Sequence, residues 1–325
     1  MNRRVRIGIS LGDPGGVGPE TAAKAVLAIE SGIDFVFFCD QSFIEIMARR
    51  FRWAVELLEF ADRHGNIGFA GAPQFDGPAP FGRPTPPGGE FAYWSVIDAA
   101  RAALAGQIDA LVTAPLSKAG LNLAGHDYPG YTELLRNISE VERVVMMLLA
   151  GDFRVIPATR HVPIMDIPLL ITRELISNTI RITVDSLKKY ESIERPRVGV
   201  LALNPHGGEN GLLGNEETTI KVAIGDVLGE GYDIEGPLVP DIAFIPRFRK
   251  RYDAIIGMYH DQVLIPLKMA GFECAVNATL GLPFVRTSPG HGTAYDIAGT
   301  DSADPSSFIE AIKLAIKWVE ANEAE

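Results

Sequence analysis

Residues 252–299 read YDAIIGMYHDQVLIPLKMAGFECAVNATLGLPFVRTSPGHGTAYDIAG. The apolar run 254–258 has the length and composition of a buried strand, and His260, Asp261 and Gln262 follow it at once. Polar, chemically able side chains have no packing reason to crowd the end of such a strand. In an open parallel sheet that end faces the ligand crevice. A second apolar segment ends in Lys268, and Asn277, a Gly-Leu-Pro turn, Arg286 and His291-Gly292 come next. The stretch thus holds groups suited to an anion, a metal and a cofactor.

Outward from it, the same alternation recurs. Strands are expected at 5–11, 34–39, 66–69, 108–113, 141–150, 153–157 and 197–203, and helices at 21–30, 42–51, 91–104, 172–188, 216–228 and 305–321. The proline- and glycine-rich segment 71–89 reads as a surface loop, 236–238 as a turn, and Trp94 as a core residue. Strand–helix alternation along nearly the whole chain predicts an α/β protein with mainly parallel sheets. The chain has 325 residues, 47% of them hydrophobic, which is more than one core usually absorbs, so two domains are expected. We expect residues 1–125 and 270–325 to build the first, cofactor-contacting domain from both chain ends. Residues 126–269 are expected as the inserted second domain.

The net charge of −11 speaks against a nucleic-acid binder, while leaving room for a local positive pocket. Cys39 and Cys274, the only cysteines, lie in or near apolar runs and form neither a disulfide framework nor a thiolate metal site. No apolar run reaches membrane-spanning length, and a strand-like run begins within a few residues of Met1, so a soluble cytoplasmic protein is expected.

Three of the six histidines, His161, His206 and His260, each follow an apolar strand-like run. The ends of parallel strands gather at one crevice, where neutral imidazoles make a metal site without local spacing. Zinc, manganese, cobalt and magnesium are all conceivable, and three nitrogens favour zinc-like ions over magnesium. Asp241 and Asp261 are candidate ligands or orienting partners. The competing reading is three core or surface histidines with backbone partners. A catalytic metal with an open position would polarise a substrate hydroxyl, and hydride loss would then require a cofactor, because no protein side chain accepts hydride.

Gly12-Asp13-Pro14-Gly15-Gly16-Val17-Gly18 joins the first strand to the first helix and is neither the dinucleotide fingerprint nor a Walker loop. Its glycines either let a ligand or the other domain approach the backbone, which makes Gly12 and Asp13 candidate cofactor contacts, or they simply make a tight turn. His291, Gly292, Thr293, Ala294 and Asp296 lie in a segment suited to ribose or base, or else in a turn entering a helix. Lys118, just past a strand, is placed to touch an anion or take a proton, or to be solvated. No GxSxG elbow and no cysteine beside a histidine is present, which removes the signal for an acyl-transfer nucleophile.

Several segments in order resemble the 4-hydroxythreonine-4-phosphate dehydrogenase family and its relatives that oxidise other hydroxy acids. They are GDPGGVGPE (12–20), TAPLSKAGLN (113–122), GYTELL (130–135), NPHGGENG (204–211), MYHDQVLIPLK (258–268) and VNATLGLPFVRTSPGHGTAYDIAG (276–299). The resemblance implies an isocitrate/isopropylmalate-dehydrogenase-like fold: two α/β/α domains with a cleft between them, in a homodimer. It implies a divalent metal on His161, His206 and His260, with the site completed across the dimer interface. It implies that Thr132, Lys268, Asn277 and Arg286 bind substrate, with Tyr131 beside Thr132 in the substrate loop, and that the 291–299 segment contacts NAD or NADP; Lys118 is the first candidate for the proton acceptor and Asp241 the second. The implied reaction oxidises a secondary alcohol in a hydroxy acid, foremost 4-phosphohydroxy-L-threonine, to a β-keto acid that can decarboxylate.

Three positions depart from the family pattern. Tyr131 stands where the biosynthetic enzymes have histidine, Gly290 (after Pro289) where aspartate is common, and Ser117 where histidine precedes the lysine. Tyrosine keeps a hydrogen-bond donor but no positive charge. These departures open two alternatives, another phosphorylated sugar acid or a non-phosphorylated cis-dihydrodiol carboxylate. A non-catalytic ligand-binding protein on the same fold is the reading from a different class.

Overall fold

The computed structural model describes residues 3–29, 32–71, 80–271 and 274–323. Its strands are β1 (Arg6–Ser10), β2 (Asp34–Phe37), β3 (Ile67–Phe69), β4 (Ala110–Thr113), β5 (Val145–Ala150), β6 (Phe153–Pro157), β7 (Arg197–Leu201), β8 (Asp233–Leu238), β9 (Ala254–Gly257), β10 (Val276–Leu280) and β11 (Val285–Pro289). The chain divides into two compact units, Met1–Arg143 with Leu282–Glu323, and Val144–Gly281.

The first unit orders its strands β3-β2-β1-β4-β11, all parallel. The strands are short and apolar because helices cover both faces of such a sheet. Ile7, Ile9, Phe35, Phe37, Leu111 and Val112 are all buried. The helix Pro86–Leu104 begins with two prolines, whose missing N–H groups cost nothing in a first turn, and the Thr85 hydroxyl caps it by accepting from Gly88 N at 3.1 Å. This corrects the expected loop over 71–89: its last residues form a helical turn, and 72–79 lie outside the described residues. Gly89 is required there, because a Cβ would collide with the Gly120 carbonyl oxygen of the helix Lys118–Leu123.

The second unit orders its strands β10-β5-β6-β9-β7-β8. β6, β9, β7 and β8 are parallel, whereas β5 is antiparallel to both β6 and β10. Met146, Leu148, Phe153, Val155, Ile255, Val263 and Leu267 form its core, and the last two are the buried side of the helix His260–Gly271.

The borders fall later than expected at 125 and 270. The helix Tyr131–Ile138 packs on the helix Pro86–Leu104 of the first unit, and β10 pairs with β5 of the second. Residues 236–238, expected as a turn, close β8, an edge strand that tolerates Pro237. Among the described residues, no helix is long and apolar enough to cross a membrane.

Candidate functional site

In the second unit the three histidines follow three neighbouring parallel strands. β6 leads to His161, β9 to His260 and β7 to His206. Hydrogen bonds continue past the strand ends. Ala158 N donates to Gly257 O (2.8 Å), and Thr159 N and Oγ1 both donate to Met258 O (3.1 and 2.7 Å). Gln262 ties two strand ends together. Its Oε1 accepts from Met258 N at 2.7 Å, and its Nε2 donates to Ala202 O at 2.9 Å.

This framing brings the His161 and His260 rings to 5.5 Å, centroid to centroid. His260 Nδ1 lies 2.6 Å from Asp261 Oδ1, so the carboxylate holds the Nδ1–H tautomer and leaves Nε2 as the nitrogen with a lone pair.

His206 does not close with these two into a three-ligand group. Among the described residues, no cluster of three or more His, Cys, Asp or Glu side chains is placed to hold a metal ion. The backbone gives the reason. His206, Gly207, Gly208, Glu209 and Asn210 all have left-handed dihedrals, with His206 at φ 53° and Glu209 at φ 42°, so His206 rides on an exposed turn. Such angles are unfavourable for side-chain-bearing residues and are held by surrounding contacts. The entry to the turn is fixed by Glu217, which is buried and accepts from Leu203 N (3.1 Å), Asn204 N (2.8 Å) and Asn204 Nδ2 (3.0 Å). Gly208 has no room for a Cβ beside the same carboxylate.

Three further candidates lie in this unit. Lys268 is exposed on the helix His260–Gly271, and Asp241 is exposed at the start of the short helix Pro240–Ala243. Asn277 is half-buried on β10, with its Oδ1 buried and lacking a hydrogen-bond partner.

In the first unit polar side chains gather at the strand ends. Arg286, 3% exposed on β11, donates to Thr113 Oγ1 at 2.6 Å, and its guanidinium carbon lies 6.0 Å from the Tyr131 ring centroid. Burial lowers the Arg286 pKa to about 10, against the opposing pull of Tyr131 and Glu133, so the group stays charged at neutral pH. Burial pushes the Tyr131 phenol well up, against the effects of Ser10 and Arg286. Ser10 Oγ and Tyr131 Oη are buried neighbours, and neither completes a hydrogen bond of good geometry. Thr132 is half-buried in the same helical turn, and Lys118 is exposed at the first position of its helix, behind the capping Ser117.

Gly12 has φ +66°, and a Cβ on it would collide with the Pro115 carbonyl oxygen. Asp13 is 1% exposed. His291 Nδ1 donates to Gly292 O at 2.9 Å, leaving Nε2 buried without a hydrogen-bond partner. Thr293 O accepts from Val17 N at 3.0 Å, Ala294 is left-handed at φ 42°, and Gly292 and Asp296 are exposed.

Sequence reasoning passed over Ser10 and Thr113. The signal was present, because each is a hydroxyl residue closing an otherwise apolar strand, as the histidines do in the second unit.

These segments, in this order, are those of one family, and its sequence model, the pyridoxal phosphate biosynthetic protein PdxA, matches residues 33–315. The chain belongs to the PdxA family. A 4-hydroxythreonine-4-phosphate dehydrogenase from Geobacter metallireducens is 42% identical over 97% of this chain and 95% of its own length. The crystal structure of a 4-hydroxythreonine-4-phosphate dehydrogenase from Klebsiella pneumoniae superposes with a TM-score of 0.80. It is 32% identical, over 98% of this chain and all of that one (100%). A terephthalate 1,2-cis-dihydrodiol dehydrogenase from Burkholderia xenovorans LB400 superposes at TM-score 0.66. It is 27% identical, over 97% and 98% of the two chains. A β-decarboxylating dehydrogenase from Thermococcus kodakarensis, 13% identical, shares the fold at TM-score 0.53 over 96% of this chain and 83% of that one. The PdxA fold of this chain is therefore mixed α/β and related to that of the β-decarboxylating dehydrogenases.

Proposed function

We propose that this chain is a divalent-metal- and NAD(P)-dependent dehydrogenase that oxidises the secondary alcohol of a hydroxy acid. The first substrate to test is 4-phosphohydroxy-L-threonine, on which the curated relatives act by name. The observation that carries the reading is the adjoining pair His161 and His260, the second fixed by Asp261, at the ends of neighbouring strands.

Two of the three donors fit a metal. The His161 and His260 imidazoles converge and the Asp261 carboxylate selects the tautomer of one, while His206, at the end of the next strand over, stands apart from them on its left-handed turn. His161 and His260, joined by His206 once that turn has shifted, would hold a zinc, manganese, cobalt or magnesium ion, which when bound supplies Lewis acidity to the substrate hydroxyl and the resulting enolate. The 291–299 segment fits a dinucleotide, with His291 Nε2 buried and open to a hydrogen bond, and NAD or NADP supplies the hydride acceptor.

The chain's own residues do the rest. Arg286, charged and almost fully buried, binds the anionic end of the substrate, and Thr132 and the Tyr131 hydroxyl orient it. Lys268 and Asn277 are the candidate substrate donors of the second unit. Lys118 takes the hydroxyl proton, with Asp241 as the other candidate. A homodimer is part of this reading. The exposed apolar side chains Ile164, Met165, Leu169, Leu212 and Met269 all belong to the second unit and each follows one of the three histidines closely in sequence, and exposed large apolar side chains favour a partner.

Tyr131 favours a second substrate class, cis-dihydrodiol carboxylates. Its buried ring occupies the neighbourhood of Arg286 without adding a positive charge. The test of both is NAD and NADP reduction by the metal-loaded protein, with 4-phosphohydroxy-L-threonine, other phosphorylated sugar acids and cis-dihydrodiol carboxylates as substrates. Turnover of the first supports the leading reading, and turnover of the diols alone supports the second. Tight binding without turnover of any substrate identifies a ligand-binding protein and overturns both.

A further inference from the structure

Two loops far apart in sequence dock on each other in the first unit. Val17 N donates to Thr293 O at 3.0 Å, and Gly16 has no room for a Cβ against the same residue. The contact is locked by side chains. Tyr295 Oη donates to Asp13 Oδ2 at 2.6 Å, and Asp13 Oδ1 accepts from Gly15 N at 2.8 Å. Asp13 is 1% exposed and reaches its position because Gly12 adopts φ +66°, which lets Asp13 N donate to Pro115 O at 3.0 Å. The Ser117 and Thr293 side chains lie close enough to the Tyr295 hydroxyl to favour its ionised form. Ser117 caps the helix that begins with Lys118. One phenol oxygen is thus the meeting point of the 12–18 turn, the start of the Lys118 helix and the 291–299 segment.

A buried carboxylate is costly, and a short bond from a phenol is the kind of charge-assisted contact that retains it. Nothing in the proposed chemistry needs Asp13 to touch a ligand. The geometry points to Tyr295 and Asp13 as positioning residues, a buried phenol–carboxylate pair that holds the dinucleotide-binding segment in register with Lys118. This gives Asp13 a positioning role in addition to the expected cofactor contact. It rests on the reading of 291–299 as the dinucleotide segment.

Tyr295→Phe keeps the ring and removes only the hydroxyl, so the fold should survive. Three quantities are measured on wild type and variant: the dissociation constants of NAD and NADP, that of Zn²⁺ alone, and hydrogen exchange of the amides in 291–299. We expect roughly tenfold weaker dinucleotide binding, the size of one lost hydrogen bond to a charged group. Exchange should be faster in 291–299, and Zn²⁺ affinity should be unchanged. In turnover, the dinucleotide KM should rise far more than kcat falls. Asp13→Asn keeps an acceptor but loses the charge, and should fall between wild type and Tyr295→Phe. Wild-type binding and exchange in Tyr295→Phe overturns the inference, and so does an equal loss of Zn²⁺ affinity, which would mark general loosening. If wild type binds neither dinucleotide, the functional reading fails, and exchange in 291–299 alone decides whether the pair positions that segment.

Discussion

The imidazoles of His161 and His260 lie 5.5 Å apart because β6 and β9 are hydrogen-bonded neighbours in register, Val155 opposite Ile255 and Pro157 opposite Gly257. The backbone bonds past the strand ends carry that register up to the two side chains. The pairing is a property of the sheet, so changes at these rings should alter ligation and leave the fold intact.

Replacing either ring should therefore abolish tight metal binding, and weakening its support should reduce it. His161→Ala and His260→Ala are expected to lose Zn²⁺ binding in calorimetric titration. Asp261→Asn, which disturbs the tautomer of His260, should weaken it by about 10–100-fold. Wild-type affinity in Asp261→Asn would remove the orienting role.

Arg286 is the charge that a substrate anion would meet. Arg286→Ala should lower kcat/KM by about 100-fold or more, since it removes a buried charge-assisted contact. Arg286→Lys should recover little of it, because a point charge does not reproduce the planar fork. Tyr131→His restores a cationic donor beside that fork. It should shift the kcat/KM ratio toward phosphorylated substrates, and an unchanged ratio would mean that Tyr131 does not set specificity.

The left-handed turn carrying His206 predicts an acid-sensitive site. Burial acts to raise the Glu217 pKa, but its bonds from Asn204 and Leu203 outweigh burial and hold it below 4.5, the ordinary value. A carboxyl with a lowered folded-state pKa stabilises the fold above its unfolded pKa. It loses that contribution as pH falls through the folded value. Stability measured by urea denaturation should fall below about pH 4.5, and Glu217→Gln should flatten that part of the curve while costing about 2 kcal/mol at neutral pH.

Gly89 has no space for a methyl group against the Gly120 carbonyl. Gly89→Ala should destabilise the first unit by about 1–3 kcal/mol, the usual cost of overpacking, despite the better helix propensity of alanine. A neutral or stabilising result in thermal denaturation would show that the two helices can part.

Much of this was legible in the chain. The runs at 153–157 and 216–228 carried their own boundaries, because an unbroken apolar run and a 3.6-residue period are local signals. The histidines at strand ends were visible for the same reason. What stayed hidden depends on partners distant in sequence. β10 and β11 carry Asn277 and Arg286, and those polar residues broke up what would otherwise read as apolar strands. The Asp13–Tyr295 bond joins loops near opposite ends of the chain, and no spacing rule links them. The left-handed run at 206–210 is encoded partly by Gly207 and Gly208, but the same dihedrals extend to His206, Glu209 and Asn210, and the Glu217 carboxylate that ties down residues 203 and 204 before the turn is not linked to them by any spacing rule.

The position of β11 in the first unit sets an order of events during synthesis. β4 pairs with β1 on one side and with β11 on the other, and β11 is translated only after the entire contiguous second unit. A growing chain can therefore complete the histidine-bearing unit while the flank of β4 is still bare. The first sheet is sealed only once β11 has been synthesised, and until then β4 offers a nascent chain of this protein a bare edge for mispairing.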